Sequence, residues 1–196
     1  MIKLLDGVYC WSAFSPEKNF NFNGHILKTD AGTVIVDPVP FSADDRAYIE
    51  AAGLKPDALV VTNRNHLRDR EEVVKRWKIP TILHQAEIAE AGIAPDQTIK
   101  DGDVIYGLVC VHLPGKSPGE IALYWPDRRL FLLGDALIAP DGKLKTIPAE
   151  KQDDPVRLKE SLQRLRTFDF DYVLLGDGDP ILHDAKSAVV AFLKPA

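Results

Sequence analysis

The sequence predicts an α/β layered sandwich, in which β-sheets are covered on their outer faces by helices. Short strands in pairs open the chain, with the turn dipeptide Asp6-Gly7 between strands at residues 2–5 and 8–14. Units of one strand followed by one helix come next, an order that is typical of layered α/β folds. The segments Ala58–Val61 and Tyr172–Leu175 are almost continuously apolar, which predicts strands that are covered on both faces.

Turn and cap residues predict the remaining elements of the first half. The turn Asp30-Ala31-Gly32 predicts a second hairpin between strands at 24–29 and 33–37. Ser42 is a typical N-cap residue, and it predicts a helix that runs through Ala52 and ends at Gly53. The alternating pattern that follows predicts a helix at 68–78, a strand at 81–84 and a short helix at 85–91.

The second half predicts three strands, at 104–113, 121–125 and 130–133, and then a long helix. Asp154 and Pro155 supply an N-cap and a first-turn proline for a helix over 156–167. An apolar stripe predicts a terminal amphipathic helix over 185–193. Because no internal repeat or linker interrupts this order, we expect a single domain over residues 1–196.

Composition and charge exclude several classes of function. The chain has 24 Lys and Arg against 29 Asp and Glu, a formal net charge of −5, so we expect no nucleic-acid partner. No apolar run approaches the roughly 18 residues of a membrane span, and Asp6-Gly7 interrupts any signal-peptide core. We therefore expect a cytoplasmic protein with no membrane partner. Cys10 and Cys110 lie far apart and show no ligand spacing, which predicts free thiols.

Polar residues are concentrated in four loops that each follow a predicted strand. Loops at strand ends present side chains into a crevice, so we expect the functional groups there. The loops cover residues 62–69, 113–120, 133–136 and 175–180.

The order and spacing of these loops resemble the metallo-β-lactamase superfamily. Its members carry Thr-His-x-His-x-Asp-His, then Pro-Gly-His-Thr-x-Gly, then Gly-Asp, then Gly-His-Gly. Segments 23–27, 34–37, 158–165 and 171–176 also resemble the family pattern. The resemblance implies a four-layer αββα sandwich of two mixed β-sheets flanked by helices. The scaffold residues that this chain keeps are Thr62, Pro114-Gly115, Gly119, Gly134-Asp135, Gly176 and Gly178.

Most of the metal-ligand positions that the resemblance implies are replaced. Asp135 alone keeps the family residue; the other six positions hold Asn63, Asn65, Leu67, Arg68, Lys116 and Asp177. Zinc takes imidazole, thiolate or carboxylate ligands, whereas a leucine has no lone pair and guanidinium and ammonium groups offer only N–H donors. We therefore expect a degenerate metal site and no metal cofactor.

The charges of the replacements favour a metal-free pseudoenzyme. Arg68 and Lys116 supply two positive charges where metal ions would have stood, next to Asp135 and Asp177. We expect each cation to pair with one of the two carboxylates, without assigning which, and we expect the pocket to bind a small anionic molecule. The predicted pocket residues are Asn63, Arg64, Asn65, Arg68, Lys116, Asp177 and His25.

Two alternatives stay open at this point. The chain could be a divergent hydrolase of an ester, thioester, amide or phosphoester bond, with His66, Asp69 and Asp135 as catalytic groups and His66 as general base. Zinc or another divalent metal would then bind at His66, Asp69, Asp135 and Asp177. The other alternative is a plain structural or interaction protein with an inactive crevice, in which these side chains project into water.

Overall fold

Two β-sheets packed face to face form the centre of the protein, in a computed structural model that describes residues 1–194. Seven strands form the first sheet, in chain order: β1 (Ile2–Leu5), β2 (Val8–Ser15), β3 (Phe20–Thr29), β4 (Gly32–Val36), β5 (Ala58–Val61), β6 (Thr81–His84) and β7 (Gln97–Ile99). Strands β1 to β4 pair antiparallel, and β4 to β7 pair parallel. The sheet is therefore mixed.

The second sheet is also mixed. Its five strands lie in the order β12-β11-β10-β9-β8, and β11 and β12 are the parallel pair. The other neighbours pair antiparallel. The strands are β8 (Val104–Ile105), β9 (Leu108–His112), β10 (Ile121–Trp125), β11 (Leu130–Leu133) and β12 (Tyr172–Leu175).

Helices cover the outer face of each sheet. Ile49 of α1 and Val73 of α2 pack with side chains of the first sheet, and Leu158 of α4 and Val189 of α5 pack with side chains of the second. A third apolar cluster fills the space between the sheets. The predicted αββα sandwich is confirmed. The helices are α1 (Ala43–Ala51), α2 (Arg70–Trp77), α3 (Ile88–Ala91), α4 (Pro155–Leu162) and α5 (Ala185–Phe192).

Local conformations differ from the sequence prediction at several places, including an unpredicted strand at Gln97–Ile99 and a strand that begins at Phe20 rather than at residue 24. The helix predicted at 68–78 starts at Arg70, because residues 64–67 form a 3₁₀ turn and Arg68 has a φ of 22°. The strand predicted at 104–113 is a hairpin, since Tyr106 and Gly107 both adopt left-handed conformations that suit a tight turn. The helix predicted at 156–167 changes to a 3₁₀ helix after Leu162.

One edge of the sandwich gathers the polar loops. The loops after β5, β9, β11 and β12 meet there, and hydrogen bonds connect the two sheets. The backbone N–H of Ile121 donates to the Thr62 carbonyl at 3.0 Å. The Asn23 amide of β3 donates to the carbonyls of Leu175 and Gly178, at 3.0 and 2.6 Å. Within residues 1–194, no helix has both the length and the apolar content needed to cross a membrane.

Gly115→Ala tests the packing of the loop after β9 against α4. A Cβ atom on Gly115 would lie 2.2 Å from the backbone nitrogen of Leu158, and its φ of +135° is one that L residues rarely adopt. We expect the substitution to lower the free energy of unfolding, measured in urea, by about 3 kcal/mol or more.

Gly142→Ala is the matched control for this prediction. Gly142 also has a positive φ, of +68°, but no heavy atom lies within 4 Å of the added Cβ. Gly142→Ala should lower the free energy of unfolding by only about 1 kcal/mol, because it adds backbone strain without a steric clash. Equal losses for the two variants would contradict the proposed role of the contact with Leu158.

Candidate functional site

A pocket of about 900 Å³ opens at the edge where the polar loops meet. Its floor is charged and mostly buried, and it contains most of the residues that the sequence predicted to converge. The floor residues are Asn65, His66, Arg68, Lys116, Asp135 and Asp177.

His66 lies at the centre of the floor, between two carboxylates. Its Nδ1 lies 2.7 Å from Asp37 Oδ2, and its Nε2 lies 3.0 Å from Asp135 Oδ1. Burial alone would lower the pKa of His66, but the charges of Asp135 and Asp37 outweigh it and raise that pKa to about 10. At neutral pH both ring nitrogens therefore carry protons and donate, one to each carboxylate.

Lys116 holds the first loop to the third. Its Nζ donates to Asn63 Oδ1 at 3.0 Å and to Asn65 Oδ1, and it lies 2.9 Å from Asp135 Oδ2. These three acceptors match the three protons of an ammonium group. Although burial acts to raise it, the pKa of Asp135 is held well below its usual range by His66 and Lys116.

Arg68 pairs with Asp177 from a strained backbone position. Its Nη2 donates to Asp177 Oδ1 at 2.8 Å, and its guanidinium carbon lies 4.4 Å from the centre of the Phe22 ring. The pairing left open by the sequence is therefore Arg68 with Asp177 and Lys116 with Asp135. Burial, assisted by the nearby Asp135, raises the pKa of Asp177 and outweighs Arg68.

Two buried carboxyl groups near the floor, Asp37 and Glu120, were not predicted as site residues. Asp37 lies just past the end of β4, and it accepts hydrogen bonds from the backbone and side chain of Thr62 at 2.8 and 2.6 Å. Burial and the neighbouring Asp135 raise the pKa of the buried Glu120 carboxyl well above its usual value. Asp37 follows a strand and Glu120 precedes one at this edge, which was the available signal.

Three of the predicted site residues lie outside the floor: the predicted pocket residues Arg64 and His25, and the predicted catalytic residue Asp69. Arg64 turns away from the floor and pairs with Glu90 at 2.9 Å and Asp153 at 2.8 Å. Asp69 precedes α2 and lines a separate, smaller pocket of about 240 Å³. His25 is buried within β3 and does not line the main pocket, and burial lowers its pKa to about 4. The two ion pairs hold Arg64 away from the floor, and His25 lies within a strand of the first sheet.

The floor also contains a group with metal-ligand chemistry. His66, Asp135 and Asp177 each offer one possible ligand atom, and these atoms lie within 4.8 Å of one another. The fourth residue of the predicted alternative metal site, Asp69, is not part of this group. Each of the three potential ligands is already bonded to a charged side chain of the protein.

A sequence model of the metallo-β-lactamase superfamily matches residues 3–193. The chain belongs to the metallo-β-lactamase superfamily. Solved structures agree on the fold. A metallo-β-lactamase from Pontibacter korlensis superposes with a TM-score of 0.79 at 17% identity, over 98% of this chain and 95% of that one. The structure of TTHA1623 in a di-iron-bound form gives a TM-score of 0.73 at 23% identity, over 88% and 93%.

Curated relatives of this superfamily member are named as hydrolases. The probable metallo-hydrolase YqgX of Bacillus subtilis is 30% identical over 138 residues, which cover 59% of this chain and 65% of the relative. The hydroxyacylglutathione hydrolase of Brucella anthropi is 32% identical over 151 residues, which cover 68% and 55%. The match therefore spans less than two thirds of the length of each relative.

A double-mutant cycle tests the pair between Arg68 and Asp177. Removing one partner strands a mostly buried charge, so Arg68→Leu and Asp177→Asn should each lower the free energy of unfolding by about 3 kcal/mol. The double variant should recover much of that loss. Strictly additive losses would mean that the two side chains do not stabilise each other.

The exposed pair Arg76–Glu50 provides the control cycle. Its N–O distance of 2.7 Å is similar to the 2.8 Å of the pair between Arg68 and Asp177, but the Glu50 side chain is 70% exposed. Arg76→Leu and Glu50→Gln should each change the free energy of unfolding by less than about 1 kcal/mol.

The pH dependence of stability tests the charge on His66. Its folded pKa of about 10 lies above the 6.5 of a free imidazole, so its stabilising effect is complete below pH 6.5 and is lost as the pH rises through 10. Between pH 7 and pH 10 the free energy of unfolding should fall more steeply in the wild type than in His66→Gln, by up to roughly 1.4 kcal/mol per pH unit.

Imidazole carbon NMR shifts provide a second readout that does not depend on the variant folding. We expect the His66 ring to keep its imidazolium signature at pH 8. The assignment of a positive charge to His66 would be contradicted by two results together. These are free energies of unfolding that change equally with pH in the wild type and in His66→Gln, and a neutral His66 ring at pH 8.

Proposed function

We propose that this protein is a metal-free member of the superfamily whose pocket binds a small organic anion rather than hydrolysing a substrate at a metal centre. The observation that carries the proposal is the ion-pair cluster in the floor. His66, Arg68 and Lys116 are bonded to the carboxylates Asp37, Asp177 and Asp135, so three cations are matched by three anions.

The donor set does not fit a two-metal site. A metal ion next to Asp135 would stand against the Lys116 ammonium group, and one next to Asp177 would stand against the Arg68 guanidinium group. Neither cation has a lone pair to give, and His66 would have to lose a proton that two carboxylates hold. The cluster therefore supports a site in which protein cations take the part that metal ions play in other members.

The charge around the pocket supports an anionic ligand. Its lining includes five lysine and arginine side chains against two aspartates, whereas the whole chain has a net charge of −5. Positive side chains concentrated in one recess of an acidic protein attract anions and raise their local concentration. The basic lining residues are Lys18, Arg68, Lys116, Lys145 and Lys151.

The alternative function is hydrolysis with one metal ion or with His66 as general base. The three potential ligand atoms of His66, Asp135 and Asp177 favour the one-metal version, and the hydrolase names of the curated relatives agree with it. The raised pKa of His66 argues against the general base, because an imidazolium ion cannot accept a proton.

Metal content distinguishes the two functions. Protein purified without added metal, and protein incubated with excess zinc, manganese or iron and then desalted, should each hold well below one equivalent of metal by mass spectrometry. Hydrolysis of p-nitrophenyl acetate and bis(p-nitrophenyl) phosphate should not rise when metal is added.

Asp135→Asn is the control for adventitious metal. About one equivalent in the wild type that disappears in Asp135→Asn would place a metal ion in the floor and overturn the proposal. The same small amount of metal in both proteins would mark it as adventitious and leave the proposal standing.

A further inference from the structure

The pocket changes character between its floor and its mouth. Besides the buried charges of the floor, the lining holds apolar side chains that range from the buried Ile138 through the half-buried Phe22 to the exposed Pro148. It also holds the exposed basic side chains of Lys145 and Lys151. Phe20 and Phe22 project from β3, with ring centres 5.7 Å apart. Ile138, Ile147 and Pro148 line the pocket from the region after β11. These five apolar side chains form the apolar belt of the pocket.

The floor has few hydrogen-bond donors left for a ligand. Lys116 uses its three protons on Asn63, Asn65 and Asp135, and both ring nitrogens of His66 are in contact with carboxylates. Arg68 Nη1 and Asn63 Nδ2 have no hydrogen-bond partner, but both atoms are inaccessible to solvent. A charged ligand group placed there would have to break pairs that are already satisfied. The floor therefore does not favour the charged end of a ligand.

Three lysines at the mouth carry the positive charge that is free to act on a ligand. Lys18 comes from the turn between β2 and β3, and Lys145 and Lys151 come from the segment before α4. The partners of Lys18 and Lys145 are the exposed Glu17 and Asp141, and such surface pairs contribute little. Lys18 also lies close enough to Lys151 to lower its pKa, so two like charges meet at the mouth.

We propose that the pocket binds an amphipathic organic anion, with its apolar body in the belt and its negative head group between Lys18, Lys145 and Lys151. This proposal rests on the proposed anion-binding function and specifies the class of ligand. An alkyl or aryl body would bury apolar surface against Phe20 and Ile147, and a sulfate, phosphate or carboxylate head would relieve the repulsion between the lysines. Head group and body would each contribute to affinity.

Isothermal titration with three probes tests the proposal on the 196-residue chain. Decyl sulfate, used below its micellar concentration, carries both features; ethyl sulfate keeps the head group without the body, and decyl maltoside keeps the body without the charge. We expect decyl sulfate to bind with a stoichiometry near one and at least about tenfold more tightly than either of the other probes. Decanoate and decyl phosphate then identify which head group is preferred.

Matched variants locate the two parts of the ligand. Lys151→Gln should weaken decyl sulfate binding about threefold, whereas Lys143→Gln, on the same segment but outside the pocket, should have no effect. Phe20→Ser should weaken it about tenfold, whereas Phe14→Ser, on the adjacent strand and also outside the pocket, should have no effect. Thermal unfolding of each variant confirms that it is folded.

Each of the other outcomes contradicts a specific part of the two proposals, the amphipathic ligand or the anion-binding function. If ethyl sulfate binds as tightly as decyl sulfate, the apolar body plays no part; the amphipathic ligand is then wrong, while anion binding stands. If decyl maltoside binds as tightly as decyl sulfate, charge is not recognised, and both proposals fail. If no probe binds, both also fail, whereas stoichiometric metal in the floor overturns only the metal-free function. Equal effects of Lys151→Gln and Lys143→Gln would contradict the position of the head group.

Discussion

Burying two carboxylates in one recess is costly unless cations neutralise them, and this constraint shapes the whole edge of the sandwich. Asp135 follows β11 and Asp177 follows β12, and because these strands are parallel neighbours, the fold places both carboxylates side by side. Like charges so close resist joint ionisation. The imidazolium, guanidinium and ammonium groups of this chain satisfy them with side chains alone.

The same cations also join the loops mechanically. Lys116 connects the loop after β9 to the loops after β5 and β11, and Arg68 connects the loop after β5 to that after β12. His66 connects the residue past β4 to the loop after β11. The same ion pairs therefore neutralise the charges of the floor and hold the loops of the two sheets together at this edge.

The layered fold and the convergence of Asn63, Asn65, Arg68, Lys116, Asp135 and Asp177 could be predicted from sequence, because loop order and scaffold glycines report backbone topology. Side-chain direction could not be predicted in the same way. Arg64 turns toward Glu90 and Asp153, and the helix before which Asp69 lies starts two residues later than expected. The charge state of His66 depends on Asp37, whose closeness is a property of the folded chain only.

The commitment of all three Lys116 protons has a consequence for how such a site can change in evolution. A single exchange of Lys116 for histidine would leave Asn63, Asn65 and Asp135 short of donors while Arg68 still occupied the opposite side. Each intermediate on a path back to a metal centre would carry an uncompensated buried group, so the steps are epistatic. The ion-pair cluster therefore resists stepwise replacement, because its members depend on one another for hydrogen bonds and for neutralising charge.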